Sequence, residues 1–534
     1  MLNFRSIRNG ASLILALFVL NFVLTFHNVW PTLFITTRFE LSVEIAILIL
    51  ALIFLSGWKQ RISPHLVTAL ALLLTVMSLA RYIEVTAPAL FGRSVNLYWD
   101  AQYLPNVASM LAEVANPILV FLIYSGAILA ISAIFLVLRV ALSRVVKGLY
   151  QPVERRSLSL LMTVLTLAYF VGHINQPIHT LKYFSLPLAN TYWGQVRFIA
   201  SAMGNEVNEM LPASENLKSF NLSNLNGADV MVQFIESYGA AAYDIDALAE
   251  TIAPAQQDFA NSVAETERRV VSAFIDSPTF GGNSWLAHSS FMTGLNIDHL
   301  ATYNLLMTQQ RTTLSDSFAA QGYRPIALMP GLRADWPEGA FYGFSAIYGA
   351  EEINYTGPEF GWWRIPDQYS LARLHDLEIA SHDRQPLFML FTTITPHMPF
   401  RPTPPYQADW SRLLGERPYD QDAVEETLAL LPEWNKLQPA YAGTLAYTFQ
   451  YMAGYMRNYP QDESVWILLG DHQAPAAVSG QDVRWDVPVH IVSRNDAIID
   501  ALLQLGFVEG MTPSMQPISN MHELPISLLS IFSE

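Results

Sequence analysis

Apolar residues dominate the first third of the chain in long unbroken runs, near 11–30, 41–58, 65–80, 117–138 and 157–173. A helix that crosses a bilayer needs about 20 mostly apolar residues, fewer where its flanks reach the interface. The pattern therefore predicts five membrane-spanning helices within residues 1–173. After that the pattern changes. Residues 174–228 are mixed and turn-rich, and read as a connector; the part near 188–210 has the polar and aromatic mixture of a helix lying on a membrane surface. From 229 to 534 short apolar runs alternate with helical stretches, which is the pattern of an α/β domain. The expected strands are 230–235, 325–329, 386–392, 464–469 and 487–491, each short and apolar like a central parallel strand.

Composition sharpens this division. Overall, 51% of the 534 residues are hydrophobic, 14% are charged and the net charge is −16. Residues 1–173 hold 12 basic and 6 acidic residues, and the remainder 18 basic and 40 acidic. A basic greasy segment thus precedes an acidic one. Disorder is excluded, because disordered chains are polar. The acidic balance argues against a nucleic-acid partner. The absence of cysteine excludes disulfides, iron–sulfur clusters, thiolate zinc sites and a cysteine nucleophile.

Loop charges give an orientation. Arg5 and Arg8 precede the first run, Lys59 and Arg61 lie between the second and third, and Arg139, Arg144, Lys147, Arg155 and Arg156 lie between the fourth and fifth. The alternate loops carry only Arg38, Arg81 and Arg93. By the positive-inside rule the N-terminus is cytoplasmic, and five crossings place everything after His173 outside.

Three expected strands end on reactive side chains. Residues 230–235 run into Glu236, 386–392 lead to His397, and 464–469 run into Gly470-Asp471-His472. Functional groups in open α/β sheets gather at the carboxyl ends of strands. Carboxylates with an imidazole suit a divalent ion such as Mn²⁺ or Zn²⁺. A nucleophile is available in Gly281-Gly282-Asn283-Ser284. The glycines permit a tight turn, Asn283 or Ser284 is placed to cap a helix, and the helix dipole favours an alkoxide and a phosphate there.

These residues resemble the alkaline-phosphatase/sulfatase superfamily, in its membrane-anchored branch of lipoteichoic acid synthases and phosphoethanolamine transferases. The resemblance implies five spanning helices followed by an extracytoplasmic α/β catalytic domain with a mostly parallel sheet. It implies that Glu236, Asp471 and His472 hold the metal with Ser284, that Ser284 is the nucleophile, and that His397, in Pro-His-Met-Pro-Phe, faces the substrate. Ser284 aligns with the start of the sulfatase pattern C/S-x-P-S-R-x-x-x-x-T-G, and Thr293-Gly294 with its end. The stretch Trp362-Trp363-Arg364-Ile365-Pro366-Asp367 is similar to an aromatic-Gly-x-x-Asp segment, mainly a structural marker, and Trp362 is a candidate for lining the substrate pocket. His490 matches a substrate-side histidine found downstream of the Asp-His pair.

Departures narrow the reading. Leu286 and His288 stand where sulfatases have Pro and Arg, which weighs against formylglycine. The glycerol-phosphate-holding His and Trp-Asn-Arg of lipoteichoic acid synthases are missing, with Arg333 as a substitute. The disulfides usual in phosphoethanolamine transferases are absent, and Gln473 stands where Gly is usual. The resemblance implies transfer of a phospho-head group from a phospholipid donor to an envelope glycan or lipid acceptor, in a bacterial-type plasma membrane. Three alternatives stay open: a hydrolase with the same site, an unusual sulfatase, and a non-catalytic envelope sensor or scaffold.

Overall fold

A computed structural model describes residues 4–29, 32–58, 61–91, 117–175, 180, 183–203, 211, 217–333, 336–361, 365–381, 383–460, 463–480 and 483–533. Lys59, Arg93, parts of the 174–228 connector and Trp362, Trp363 and Arg364 lie outside the described residues. The chain divides into two compact units, Met1–Ala89 with Ser94–Asn208, and Leu90–Arg93 with Glu209–Glu534.

The first unit is helical. Its helices are α1 (Phe4–Thr25), α2 (Val43–Trp58), α3 (Pro64–Phe91), α4 (Pro117–Leu149), α5 (Pro152–Asn175) and α6 (Leu188–Met203). Among the described residues four of these, α1, α3, α4 and α5, are long and apolar enough to cross a membrane. The apolar α2 has 16 residues, about 24 Å at 1.5 Å per residue, and is shorter than the others. Leu20, Ile49, Ala71 and Leu142 close the helix–helix core. The opposite faces are just as apolar: Leu129 is 70% exposed and Phe54 68%. Side chains of that kind directed outward all along a helix suit a lipid surround and not water.

Polar groups in this unit are tied together. Arg81 is buried; its Nε donates to Phe26 O at 3.0 Å and its guanidinium pairs with Glu84 at 3.0 Å. Helix α6 docks on the same region, with Thr191 donating to Glu84 and Tyr192 donating to Ala80 O, each at 2.9 Å.

The second unit is built on a nine-stranded sheet. In chain order its strands are β1 (Asp229–Ile235), β2 (Arg269–Asp276), β3 (Arg324–Leu328), β4 (Ala346–Tyr348), β5 (Leu387–Thr392), β6 (Ser464–Gly470), β7 (Asp486–Ser493), β8 (Val508–Glu509) and β9 (Pro517–Asn520). The spatial order is β8-β2-β7-β6-β1-β5-β3-β4, with β9 beside β2. Strands β6, β1, β5, β3 and β4 run parallel, while β7 is antiparallel to both β6 and β2.

Both faces of the sheet are covered, which explains why its strands read as continuous apolar runs. On β1, Met231 and Ile235 pack into one core with α7 (Asp246–Glu265) and the later helix Gln438–Asn458. Val230, Val232 and Phe234 face the other core, with α8 (Ser284–Thr293) and the helices at 496–505 and 524–531. Central β1 is flanked by β5 and β6, so the parallel direction brings the ends of all three to one edge. The strand at 269–276 is an addition to the expected set. Its central Ser272 lies directly across from His490 of β7, so two polar residues that interrupt apolar runs satisfy one another.

Candidate functional site

The carboxyl ends of β1 and β6 carry Glu236 and Asp471-His472, and α8 begins at Ser284 beside them. Ligand atoms of Glu236, Asp471 and His472 lie within 4.8 Å of one another. Ser284 Oγ donates to Glu236 Oε2 at 3.0 Å and lies 3.2 Å from His472 Nε2. Four residues spread from position 236 to position 472 of the sequence thus converge on one point.

The local backbone explains how Ser284 arrives there. Gly281, Gly282 and Asn283 have φ of 65°, 143° and 64°. The middle value belongs to glycine alone in practice, so Gly282 is required by the turn. Thr279 Oγ1 donates to Gly282 O at 2.7 Å, and Gly281 N donates to Gln473 O at 3.0 Å. The turn is thereby fastened to the residue after His472. Neither Asn283 nor Ser284 caps the helix: Asn283 occupies the cap position without a side-chain bond, and Ser284 is the first helical residue. Its hydroxyl is spent on the cluster.

Each ligand candidate is oriented by further bonds. Asp471 Oδ1 accepts from Ser237 N at 2.8 Å and His472 N at 2.7 Å, which leaves Oδ2 for the cluster. Glu236 N donates to Thr393 Oγ1 at 3.0 Å, and Ser237 Oγ donates to Glu236 Oε1 at 2.9 Å. His472 Nδ1 is 2.9 Å from Gln473 O. With the proton on Nδ1 for that bond, Nε2 presents its lone pair to the cluster, the tautomer a metal-bound histidine requires.

Electrostatics points the same way. Burial opposes charge on Glu236, yet His472 and His397 outweigh it and hold the carboxyl well below the usual range. Burial, with the Glu236 charge beside it, pushes Asp471 up to about 8. Burial disfavours protonation of His472, but Asp471 and Glu236 together hold it up at about 9. Without an ion, two buried carboxylates and an imidazole are held apart from their ordinary protonation, with protons kept on Asp471 and His472; a divalent cation is the group that fits in place of those protons. The oxygen and nitrogen donors match Mn²⁺ or Zn²⁺.

The other expected site residues fall into three groups. His397 is half-buried on the loop after β5, where its charge acts on Glu236. Its Nδ1 lies 2.9 Å from Met398 O. Arg333 is exposed on the loop after β3, at the carboxyl end of that strand. His490 is placed elsewhere. It is wholly buried, with Nδ1 2.6 Å from Ser272 Oγ and Nε2 2.9 Å from the Tyr238 hydroxyl. Both ring nitrogens are spent in the core, and burial pushes its pKa down to about 3. The downstream position in sequence does not translate into a place at the cluster, because β7 points this side chain into the sheet interior.

Three supporting residues were not singled out for these roles by sequence. Asp367 is fully buried and accepts from Ile394 N and Thr395 N, both at 2.9 Å, so it anchors the loop that carries His397. Burial pushes Asp367 up to about 6. Thr393 directs Glu236, and its only sequence signal is its position just beyond a strand end. His288 lies one turn beyond Ser284 with its ring centroid 4.5 Å from that of Phe234. Its Nε2 is buried without a hydrogen-bond partner among the described residues, and burial pushes its pKa down to about 4.

No protein-family model matches the chain, and no curated protein matches its sequence. In structure the chain is similar to members of the alkaline phosphatase superfamily, among them a protein of that superfamily from Vibrio parahaemolyticus. That match has 16% identity and a TM-score of 0.37, and covers 61% of this chain and 71% of that one. It is also similar to the integral membrane protein lipooligosaccharide phosphoethanolamine transferase A from Neisseria meningitidis, at 16% identity and a TM-score of 0.46, covering 87% of this chain and 84% of that one. The lipoteichoic acid synthase LtaP from Listeria monocytogenes matches at 11% identity and a TM-score of 0.38, covering 62% and 78%.

Proposed function

We propose that this chain is a membrane-anchored, metal-dependent transferase that moves a phospholipid-derived phospho-head group onto an envelope glycan or lipid acceptor. The observation that carries this is the position of Ser284 Oγ. It lies at the first residue of a helix, 3.0 Å from Glu236 and 3.2 Å from His472. A hydroxyl held against a buried Glu/Asp/His cluster is arranged for nucleophilic work. The membrane helices give a lipid donor a reason, since a lipid does not diffuse to a distant soluble enzyme. We also read α2 as a fifth crossing. That reading and the loop charges put the N-terminus in the cytoplasm and the α/β unit on the periplasmic or extracellular side.

Glu236, Asp471 and His472 would hold Mn²⁺ or Zn²⁺ together with Ser284. Bound there, the ion supplies positive charge that lowers the serine pKa and offsets charge on the phosphoryl oxygens. Ser284 donates its proton toward Glu236 Oε2 and turns a lone pair to the incoming phosphorus. Attack by Oγ breaks the bond from phosphorus to the diacylglycerol oxygen. The backbone N–H groups at the start of α8 face the phosphoryl oxygens as they gain charge. His397, whose Nδ1 lies 2.9 Å from Met398 O, gives a proton to the leaving diacylglycerol oxygen. An acceptor hydroxyl then attacks the phospho-serine and gives its proton to His397, while the bond from phosphorus to Ser284 Oγ breaks and Oγ takes back the proton held at Glu236.

The test uses the full-length protein in vesicles with a head-group-labelled phospholipid. Wild type should release diacylglycerol and show a head-group phosphate adduct on the peptide containing Ser284. Ser284→Ala should lose both, with turnover down on the order of 10³-fold or more. Near wild-type turnover by that variant would sink the assignment. Product formed equally with and without an added glycan or polyol acceptor would make the enzyme a hydrolase.

A further inference from the structure

The tight turn between α4 and α5 shapes a cleft of about 530 Å³. Its lining includes Ile53 of α2, Leu149 and Tyr150 from the end of α4, and Arg155, Arg156 and Ser159 of α5. Helices α4 and α5 are both long and apolar enough to cross a membrane, so the turn that joins them lies at head-group level.

The arginines nearby are not equivalent. Arg144 is fully engaged: its guanidinium bonds both oxygens of Glu154, at 2.9 and 3.0 Å, and also reaches Ser12 Oγ and Asn9 O. Among the described residues the guanidinium groups of Arg155 and Arg156 make no hydrogen bond or ion pair. Arg155 is nonetheless half-buried and held over the end of α2, where a side chain on Gly57 would meet it at 3.2 Å. The walls are mixed. Leu149 and Ile53 offer apolar surface, and Ser159 a hydroxyl. Tyr150 closes one side, with its own hydroxyl accepting from Ile62 N at 2.7 Å.

Half-buried Arg155 and exposed Arg156 both line the cleft, and two planar cations match the two non-bridging oxygens of a phosphodiester. Apolar walls at the end of spanning helices match the start of acyl chains. We propose that this cleft binds the phosphate of an anionic phospholipid. The mixed walls and the head-group depth favour a lipid over free phosphate. On the orientation proposed above, the cleft faces the cytoplasmic leaflet, opposite the leaflet that would supply the donor, so the bound lipid is a resident and not a substrate.

The full-length protein is placed in phosphatidylcholine nanodiscs with and without phosphatidylglycerol, and retained lipid is counted by native mass spectrometry beside thermal melts. Wild type should retain phosphatidylglycerol selectively and melt higher with it. The double variant Arg155→Gln/Arg156→Gln should lose affinity roughly thirtyfold, as expected for two arginines at a lipid surface. Ser159→Trp, which fills the cleft and leaves both charges, should lose retention too. Arg139→Gln, which removes an exposed charge outside the cleft, should retain it. Equal loss in Arg139→Gln, or wild-type retention in the double variant, would overturn the site. Stabilisation of wild type by inorganic phosphate to the same extent would overturn the lipid. None of these readouts uses turnover, so they stand or fall apart from the role of Ser284.

Discussion

In the helical unit Arg81 is 4% exposed, and the charges around it are answered: Glu84 pairs with it, Phe26 O accepts from it, and Glu40 pairs with His27 close by. In the α/β unit Glu236 and Asp471 are buried just as deeply, yet the one basic group within the cluster is His472. The difference lies in what each arrangement is for. A buried charge with matched partners contributes to docking of helices and asks for nothing more. Buried groups held away from their ordinary protonation, Asp471 up to about 8 and His472 up to about 9, are the pattern expected where an ion or a reacting group is received.

The largest effect that would break this contrast is at Asp471. Asp471→Asn removes the buried carboxyl, and with it a donor of the proposed metal site. Calorimetry of chelator-treated protein should show a melting temperature equal to or above that of wild type. The rise on adding Mn²⁺ or Zn²⁺ should vanish, and turnover should fall on the order of 10³-fold. A metal-free variant much less stable than wild type would mean the cluster is structural, like that of Arg81.

Arg81→Gln tests the other side. Glu84, half-buried, is left with the Thr191 hydroxyl, Phe26 O loses its donor, and the helical unit should lose about 2 kcal/mol. Thermal melts in detergent read this directly, and an unchanged melt would show that the pairing is incidental.

A smaller effect is expected at Asp367. Asp367→Asn keeps the shape but weakens two bonds to the His397 loop, so kcat should fall about tenfold while metal affinity is kept. Metal affinity falling in step with kcat would move Asp367 from the loop to the cluster itself.

The smallest expected effect concerns His490, a buried polar group whose partners are neutral. Folding pushes its pKa down from 6.5 to about 3, with burial as the cause. The unfolded chain therefore takes up this proton first. The contribution is whole above pH 6.5 and is lost as pH falls towards 3, by about 1 kcal/mol over the first unit. Melts of wild type and His490→Gln across that window should differ in slope, the variant being flatter. Parallel slopes would mean that the ring is protonated in the core.

The apolar runs and the acidic half were plain in the sequence, because burial in lipid or between two helix layers demands continuous hydrophobicity whatever the neighbours are. The strand ends at Glu236 and Asp471-His472 were legible for the same reason: polar residues that abruptly follow an apolar run lie at an edge. The Gly281-Gly282 turn was legible because only glycine takes the backbone angle at Gly282. What stayed hidden depended on partners far away in the chain. Ser272 interrupts an apolar run and His490 interrupts another, and only their opposition across β2 and β7 makes both tolerable. Read alone, His490 looks like a site residue and 269–276 does not stand out as a strand.

The sequence by itself determined that a greasy basic segment precedes an acidic α/β unit, and which residue types were available for a metal and a nucleophile. Tertiary structure alone decided which of them meet. The parallel direction of β1, β5 and β6 brings their ends to one edge, and Gln473 O fastens the Ser284 turn against His472. Convergence of that kind comes from strand order and register, which long-range packing sets and no local pattern encodes.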